Sequence, residues 1–258
     1  MESVKIIFFD IDGTLVDSAT GSIPASTREA LNRLHERGIL LCIATGRPPA
    51  SLPNLEGLHF DAFCTVNGSL CYTESATIHS HPLPPGAVQQ VLENTAAMGR
   101  PISVATRHRL SANGWEPNLA EYYRMAGLEL AADAHFDEAC REDVYQIMVG
   151  CREPEHTAIL RGAEGAGITF SWDRAADVIP AGGSKGAAIL KILDHFRLNP
   201  DQAMAFGDGV NDIEMLQTVG TGVAMGNADP RVKAIAKDQC LPVSRDGIYH
   251  YCLEHGLI

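Results

Sequence analysis

Two carboxylates, Asp10 and Asp12, close an apolar run that starts at Val4 and continues through Ile6, Ile7, Phe8 and Phe9. Side chains in extended backbone repeat every two residues, so both acids leave the chain on one side while Ile11 points away. Two like charges in one small volume resist joint ionisation: either a cation neutralises them or one carboxyl holds its proton more tightly. The plainer reading is that Asp10 ends a strand and Asp12-Gly13 makes a turn.

Further groups of the same kind follow other apolar runs. Thr45-Gly46-Arg47 comes after Ile39 to Ala44, with a hydroxyl donor, a glycine that lets backbone N–H groups approach an anion, and a cation. Pro48 is placed to open a short helix whose positive end would lie nearby. Gly207-Asp208-Gly209-Val210-Asn211-Asp212 follows Ala203 to Phe206, and the four-residue spacing of Asp208 and Asp212 can aim both carboxylates at one ion. With Asp10 they make an all-oxygen set suited to Mg2+ rather than to zinc or copper. Lys185 falls in the first turn of an expected helix, a poor place for a cation unless anions surround it. Each group also has an ordinary reading as a strand-ending turn, an acid-capped helix start or a solvated lysine. Gly207-x-Gly209 lacks the third glycine of a dinucleotide fingerprint, and Gly183-Ser184-Lys185-Gly186 lacks P-loop spacing, so no nucleotide cofactor is implied.

The elements that must position these residues alternate in type. A helix pattern over 25–37 buries Ala30, Leu31 and Leu34 and gives way after Gly38 to the strand 39–44, completing a βαβ unit. A third strand is expected at 62–66 and a hairpin at 69–72 and 76–79. Near the C-terminus come a helix over 185–196, a strand over 203–206, a helix over 213–218 and a strand over 221–225. This predicts an α/β fold with a Rossmann-like, doubly wound parallel sheet, whose ligands bind beyond the carboxyl ends of the strands. Residues 83–180 carry their own candidates, helices at 88–98 and 157–163 and strands at 102–105, 145–149 and 168–172, and read as an inserted α+β domain. The core is then 1–82 with 181–258, and proline clusters at 82–85 and the 180–183 run serve as linkers.

A chain of 258 residues, 45% hydrophobic and 20% charged, is an ordinary globular composition. A net charge of −12 without a basic run argues against nucleic acid. It also requires local cations wherever an anionic substrate binds. No uncharged apolar stretch reaches the roughly 18 residues of a membrane span, and a cytoplasmic location is expected. Seven cysteines without a CxxC pair read as core residues in a reducing compartment, and the His79-Ser80-His81 pair as an exposed loop.

Asp10-Ile11-Asp12-Gly13-Thr14-Leu15, Thr45-Gly46-Arg47, Ser184-Lys185-Gly186 and Gly207-Asp208-Gly209-Val210-Asn211-Asp212 together resemble the four ordered motifs of the haloacid dehalogenase (HAD) superfamily, in particular its Cof-type phosphatases. That group carries a large α+β cap between the second and third motifs, where residues 83–180 stand. The resemblance implies a Mg2+-dependent phosphatase acting on a small phosphorylated metabolite such as a sugar phosphate or pyridoxal phosphate. It makes Asp10 the nucleophile that forms an aspartyl-phosphate and Asp12 the general acid and base. Thr45, Gly46, Lys185 and Arg47 would hold the phosphoryl group, with Asn211 and, less directly, Asn67 helping. Mg2+ would be held by the Asp10 carboxylate, the Asp12 backbone carbonyl and Asp208, with Asp212 beside it.

An acid at position 12, where related ion-pumping ATPases have Thr, favours phosphatases and phosphomutases. A sugar phosphomutase of the same fold and a non-catalytic phosphometabolite sensor are the alternatives. A further one is a serine hydrolase, since Gly182-Gly183-Ser184-Lys185-Gly186 matches GxSxG and Asp208 and His250 follow in the right order. In the inserted segment, Arg107 to Trp115 is the densest mix of cations, amide and aromatic ring. Trp115 there either stacks on a ligand ring or tucks into the cap core. Oligomeric state is not encoded in these motifs.

Overall fold

The computed structural model describes residues 4–55 and 57–258. The first strand, β1 (Ile6–Phe9), is wholly shielded from solvent, as an all-apolar strand must be. Helix α1 (Ala25–Glu36) buries Thr27, Ala30, Leu31 and Leu34 on one stripe and stops ahead of Gly38, whose φ of +76° suits glycine. Strands β2 (Leu40–Ala44) and β3 (Ala62–Thr65) follow, then the antiparallel hairpin β4 (Leu70–Tyr72) and β5 (Thr77–Ser80). His79 thus lies in a strand, not in the loop expected for it. Pro48 does not open a helix either. It is extended, and Pro49–Ser51 makes a single 3-10 turn too short to present a helix dipole.

The inserted segment supplies α2 (Pro85–Ala97), β6 (Ile102–Ala105), β7 (Leu110–Ala112), α3 (Pro117–Met125), α4 (Phe136–Ala139), β8 (Gln146–Val149), α5 (His156–Ile159), β9 (Ala166–Trp172) and β10 (Ala175–Pro180). Its strands form an antiparallel sheet in the order β7-β6-β8-β10-β9. Alternation along β8 explains the two layers against it. Ile147 and Val149 join Val88, Val91, Phe136 and Ile159 on one face, while Met148 joins Leu119, Ala120 and Tyr123 of α3 on the other. The helix expected over 157–163 shortens to α5, and β10 runs through Pro180, the first residue of the run expected as a linker.

The chain then forms α6 (Lys185–Phe196), β11 (Ala203–Gly207), α7 (Ile213–Thr218), β12 (Thr221–Ala224), α8 (Pro230–Ile235), β13 (Asp238–Gln239) and α9 (Gly247–Glu254). Among the described residues one sheet has the order β13-β12-β11-β1-β2-β3-β4-β5, parallel from β13 to β3. The connection β1-α1-β2 steps one way along it and β11-α7-β12 the other. Right-handed crossovers therefore put α1 and α7 on opposite faces, which is the doubly wound arrangement. The strand order reverses at β1. Asp10 sits directly beyond β1, at the position where such folds bind ligands.

By contacts the chain separates into two compact units: the described residues up to Gly46 with Asn54–Ser80 and Ser184–Ile258, and Arg47–Pro53 with His81–Gly183. Arg47 thereby belongs with the second unit. No described helix is long and apolar enough to cross a membrane.

Candidate active site

The carboxyl ends of β1, β2, β3 and β11 and the start of α6 gather most of the candidate residues in the first unit. The Asp10 N–H donates to the Phe206 carbonyl at 3.1 Å, so the β1–β11 ladder fixes where its side chain begins. Lys185, in the first turn of α6, is fully buried, and its ammonium donates to Asp10 Oδ1 at 2.7 Å and to Asp212 Oδ1 at 2.6 Å. That resolves its position at the wrong end of a helix dipole: two buried carboxylates oppose that field at short range. Asp212 Oδ2 accepts from the Asp208 and Gly209 amides at 3.0 and 2.9 Å, so both of its oxygens are held.

Asp208 is held from two sides. Thr14 Oγ1 donates to its Oδ1 at 3.0 Å, and Asn227 Nδ2 reaches its Oδ2 at 3.3 Å while bonding the Gly13 carbonyl at 2.8 Å. Gly13 must be glycine for two reasons. Its φ is +85°, and a Cβ there would lie 2.2 Å from Asp208 Oδ2. Asp12 is exposed on the same turn, and its charge is felt at Asp208.

Burial, reinforced by Asp212, pushes the Asp10 carboxyl well above its ordinary range; Lys185 pulls it back and Asp208 adds to the rise. Burial and Asp212 lift Asp208 to about 6. Burial alone would lower the Lys185 ammonium, but Asp10 and Asp212 outweigh it and raise it. One cation among these acids leaves an excess of negative charge. Asp10, Asp208 and Asp212 each offer an oxygen within 4.8 Å of the others. An all-carboxylate cluster in which Asp10 and Asp208 hold their protons more tightly than usual fits a hard metal ion, which would relieve the repulsion among the acids.

The phosphate-binding candidates divide. Thr45 is buried at the end of β2, its N–H donating to the Cys64 carbonyl and its own carbonyl accepting from the Asn67 N–H at 3.0 Å. Gly46 lies against the Asn67 amide, so closely that a Cβ would stand 3.3 Å from it, and Asn67 Oδ1 accepts from Asn211 Nδ2 at 3.0 Å. Val66, Asn67 and Gly68 all have positive φ, at 50°, 51° and 99°. For the fully buried, β-branched Val66 this conformation costs on the order of 1–3 kcal/mol, which marks the turn as held in place by its surroundings. Arg47 is engaged within the second unit, where its guanidinium donates to the Ser51 and Ala126 carbonyls at 2.8 and 3.2 Å.

Ser184 caps α6, its Oγ accepting from the Ala187 N–H at 3.2 Å, while Asp208 is bound to Thr14 and Asn227 and His250 is exposed on α9. The serine-hydrolase triad is therefore not assembled. Within 107–115, Arg109 pairs with Glu142 at 2.5 Å and Asn113 Oδ1 accepts from the Ile102 N–H, so both support the β6–β7 hairpin. Trp115 is 62% exposed, not tucked into a core. Thr14 and Asn227 were given no role from sequence. Thr14 lies inside the first motif, and Asn227 follows β12 as the other site residues follow their strands.

A model of haloacid dehalogenase-like hydrolases matches residues 7–252. HMP-PP phosphatase of Enterobacter sp. (strain 638) is 34% identical over 257 residues, 93% of this chain and 89% of that protein. Pyridoxal phosphate phosphatase YbhA of Escherichia coli (strain K12) is 29% identical, covering 98% and 99%. The structure of the HAD subclass IIB sugar phosphatase BT4131 superposes with a TM-score of 0.87 at 33% identity, over 99% of this chain and 100% of that one. With three of its motifs on strand ends and the other at the start of α6, the chain belongs to the haloacid dehalogenase-like hydrolases, among their Cof-type phosphatases.

Proposed function

We propose that this enzyme hydrolyses a small phosphomonoester through a phosphoryl group carried on Asp10. The observation that carries the reading is the Lys185 ammonium bridging Asp10 and Asp212 beside Asp208, at the sheet's point of strand reversal. Asp10 Oδ attacks phosphorus, the bond to the leaving oxygen breaks, and an acyl phosphate results; water then displaces Asp10 and releases inorganic phosphate. Asp12, exposed on the turn beyond β1, gives its proton to the leaving oxygen and takes one from the attacking water, a role typically worth about 10²- to 10⁴-fold.

A nucleophilic Asp10 must be ionised although burial opposes it, and Lys185 supplies one opposing charge. Mg2+, held by the Asp10 and Asp208 carboxylates and the Asp12 carbonyl with Asp212 beside it, would supply the rest and offset charge on the phosphate. Asp212 also fixes Lys185 and the loop of Asp208 and Gly209, which makes it a positioning residue for both. The Thr45 hydroxyl and Gly46 amide hold the transferring oxygens together with Lys185, and the Asn67–Asn211 pair orients that rim.

These groups handle only the phosphoryl group, so choice of leaving group falls elsewhere, and we assign it to residues 83–180. A sugar phosphate or a phosphorylated ring such as pyridoxal phosphate is the substrate class, in keeping with what the named relatives act on. The reading is tested by phosphate release from p-nitrophenyl phosphate and a panel of such esters, with Mg2+ and with EDTA. Release that requires Mg2+ and disappears in Asp10→Asn is expected. Release in EDTA, or by Asp10→Asn, would contradict it.

A further inference from the structure

A second group of metal-ligating side chains lies in the first unit, away from the carboxyl strand ends that carry the catalytic residues. His35 is in the last turn of α1, and His59 and Asp61 are on the segment that leads into β3. Their imidazole rings stand 4.3 Å apart, tilted by 35°, and His59 Nε2 lies 3.2 Å from Asp61 Oδ1. One ligand atom from each of the three falls within 4.8 Å of the others. We propose that His35, His59 and Asp61 form a binding site for a divalent transition-metal ion of the zinc class, a latch between α1 and the entry to β3.

The distances suit such an ion. Bonds of about 2.0–2.1 Å in a tetrahedron put neighbouring ligand atoms about 3.3–3.4 Å apart. The His59–Asp61 pair, at 3.2 Å, is already close to that edge length, and His35, exposed at the end of its helix, completes the face by turning its ring. Asp61 is held for the task. Its Oδ2 accepts from the Leu41 N–H at 2.8 Å, which fixes the carboxylate plane and presents Oδ1 to the two rings. Two imidazoles with one carboxylate select Zn2+, Co2+, Ni2+ or Cu2+, whereas Mg2+ requires oxygen ligands; the two clusters in this unit therefore sort metals by ligand chemistry.

Position separates the two clusters further. Asp61 and Leu41 are at the amino ends of β3 and β2, while Thr45 and Asn67 follow their carboxyl ends. A four-residue strand spans about 13 Å, so an ion here would touch no reacting atom. Its effect is to tie the end of α1, which otherwise leads through Gly38 into β2, to the neighbouring strand. Binding to the folded chain alone raises stability by mass action.

The test is a titration with Co2+ in buffer holding saturating Mg2+, which keeps the carboxylate cluster occupied, on the wild type, His35→Ala and His59→Ala. The expected result is one Co2+ per chain with visible bands of nitrogen and oxygen ligation and no thiolate charge transfer. Zn2+ should displace it and raise the unfolding midpoint by a few degrees. Both variants should lose the bands and the midpoint shift, keeping their far-UV spectrum and Mg2+-dependent turnover. Bands that survive in the variants, that report thiolate ligation, or that need millimolar Co2+ would overturn the assignment.

Discussion

Replacing Asp177 by asparagine should stabilise the second unit at neutral pH, and the reason lies in how its acid is buried. Asp177 is on β10, the strand between β8 and β9, and faces Gln146 and Tyr122. Tyr122 donates to Oδ2 at 2.8 Å, but Asp177 Oδ1 and Gln146 Oε1 are both buried without a hydrogen-bond partner. Burial raises the carboxyl from an ordinary 3.8 to about 6, with the neighbouring Gln146 and the Tyr122 hydrogen bond pulling the other way. A carboxyl that is raised on folding binds its proton more tightly in the folded chain. Stability therefore falls as pH rises from about 4 to about 6, and the full penalty, about 3 kcal/mol for that shift, is present above about pH 6. Asparagine keeps the acceptor for Tyr122, carries no charge, and brings an N–H that can answer Gln146 Oε1. A gain of about 1–3 kcal/mol at pH 8 follows, allowing for the buried amide, and about 2–4 °C in midpoint per kcal/mol. Thermal and urea unfolding of both proteins at pH 5 and pH 8 reads it: the variant should lead at pH 8, and the difference should shrink at pH 5. A variant less stable than wild type at pH 8, or a difference independent of pH, would refute the reasoning.

Lys185→Met should lower kcat/KM by at least 10²-fold and destabilise the fold by about 3–5 kcal/mol, because it leaves the Asp10 and Asp212 carboxylates buried without their cation; steady-state kinetics and urea unfolding measure the two losses. Gly13→Ala should raise the Mg2+ concentration needed for half-maximal activity several-fold, since the new Cβ would stand 2.2 Å from Asp208 Oδ2 at a φ of +85°; Mg2+ titrations of activity report it. With Asp208 held at about 6, apparent Mg2+ affinity should weaken as pH falls from 7 to 5 and protons compete for the carboxylate, a trend that calorimetric Mg2+ titrations should find reduced in Asp208→Asn.

Much of this was legible in the chain because chemistry and periodicity changed at the same places. The apolar run of β1 stops at Asp10, the helix over Lys185–Phe196 is bounded by a capping Ser184 and carries its stripe, and acids follow β11 directly. What escaped depends on contacts distant in sequence. Nothing local to Thr14 or Asn227 says that both would hold Asp208, 194 and 19 residues away. Nothing local to Pro180 says that β10 extends to it either, since its pairing partner is Ala166 at the far end of β9. Helix α3 was missed although Glu116 caps it through the Leu119 N–H and Pro117 takes its first position; those signals stood beside a tryptophan that drew a functional reading. Arg47 is another such case: its guanidinium donates to carbonyls of the Ser51 turn and the end of α3, partners that nothing in Thr45-Gly46-Arg47 announces.

The central claim, that Asp10 carries the phosphoryl group, is tested most directly by quenching the Asp12→Asn variant in acid during turnover of a phosphomonoester with Mg2+, then locating the modification by peptide mass. Slowed hydrolysis of the intermediate should leave a single phosphoryl group on the peptide that contains Asp10, absent from Asp10→Asn/Asp12→Asn. A substrate-dependent phosphoryl group on any other residue, or turnover that persists without Asp10, would contradict the account.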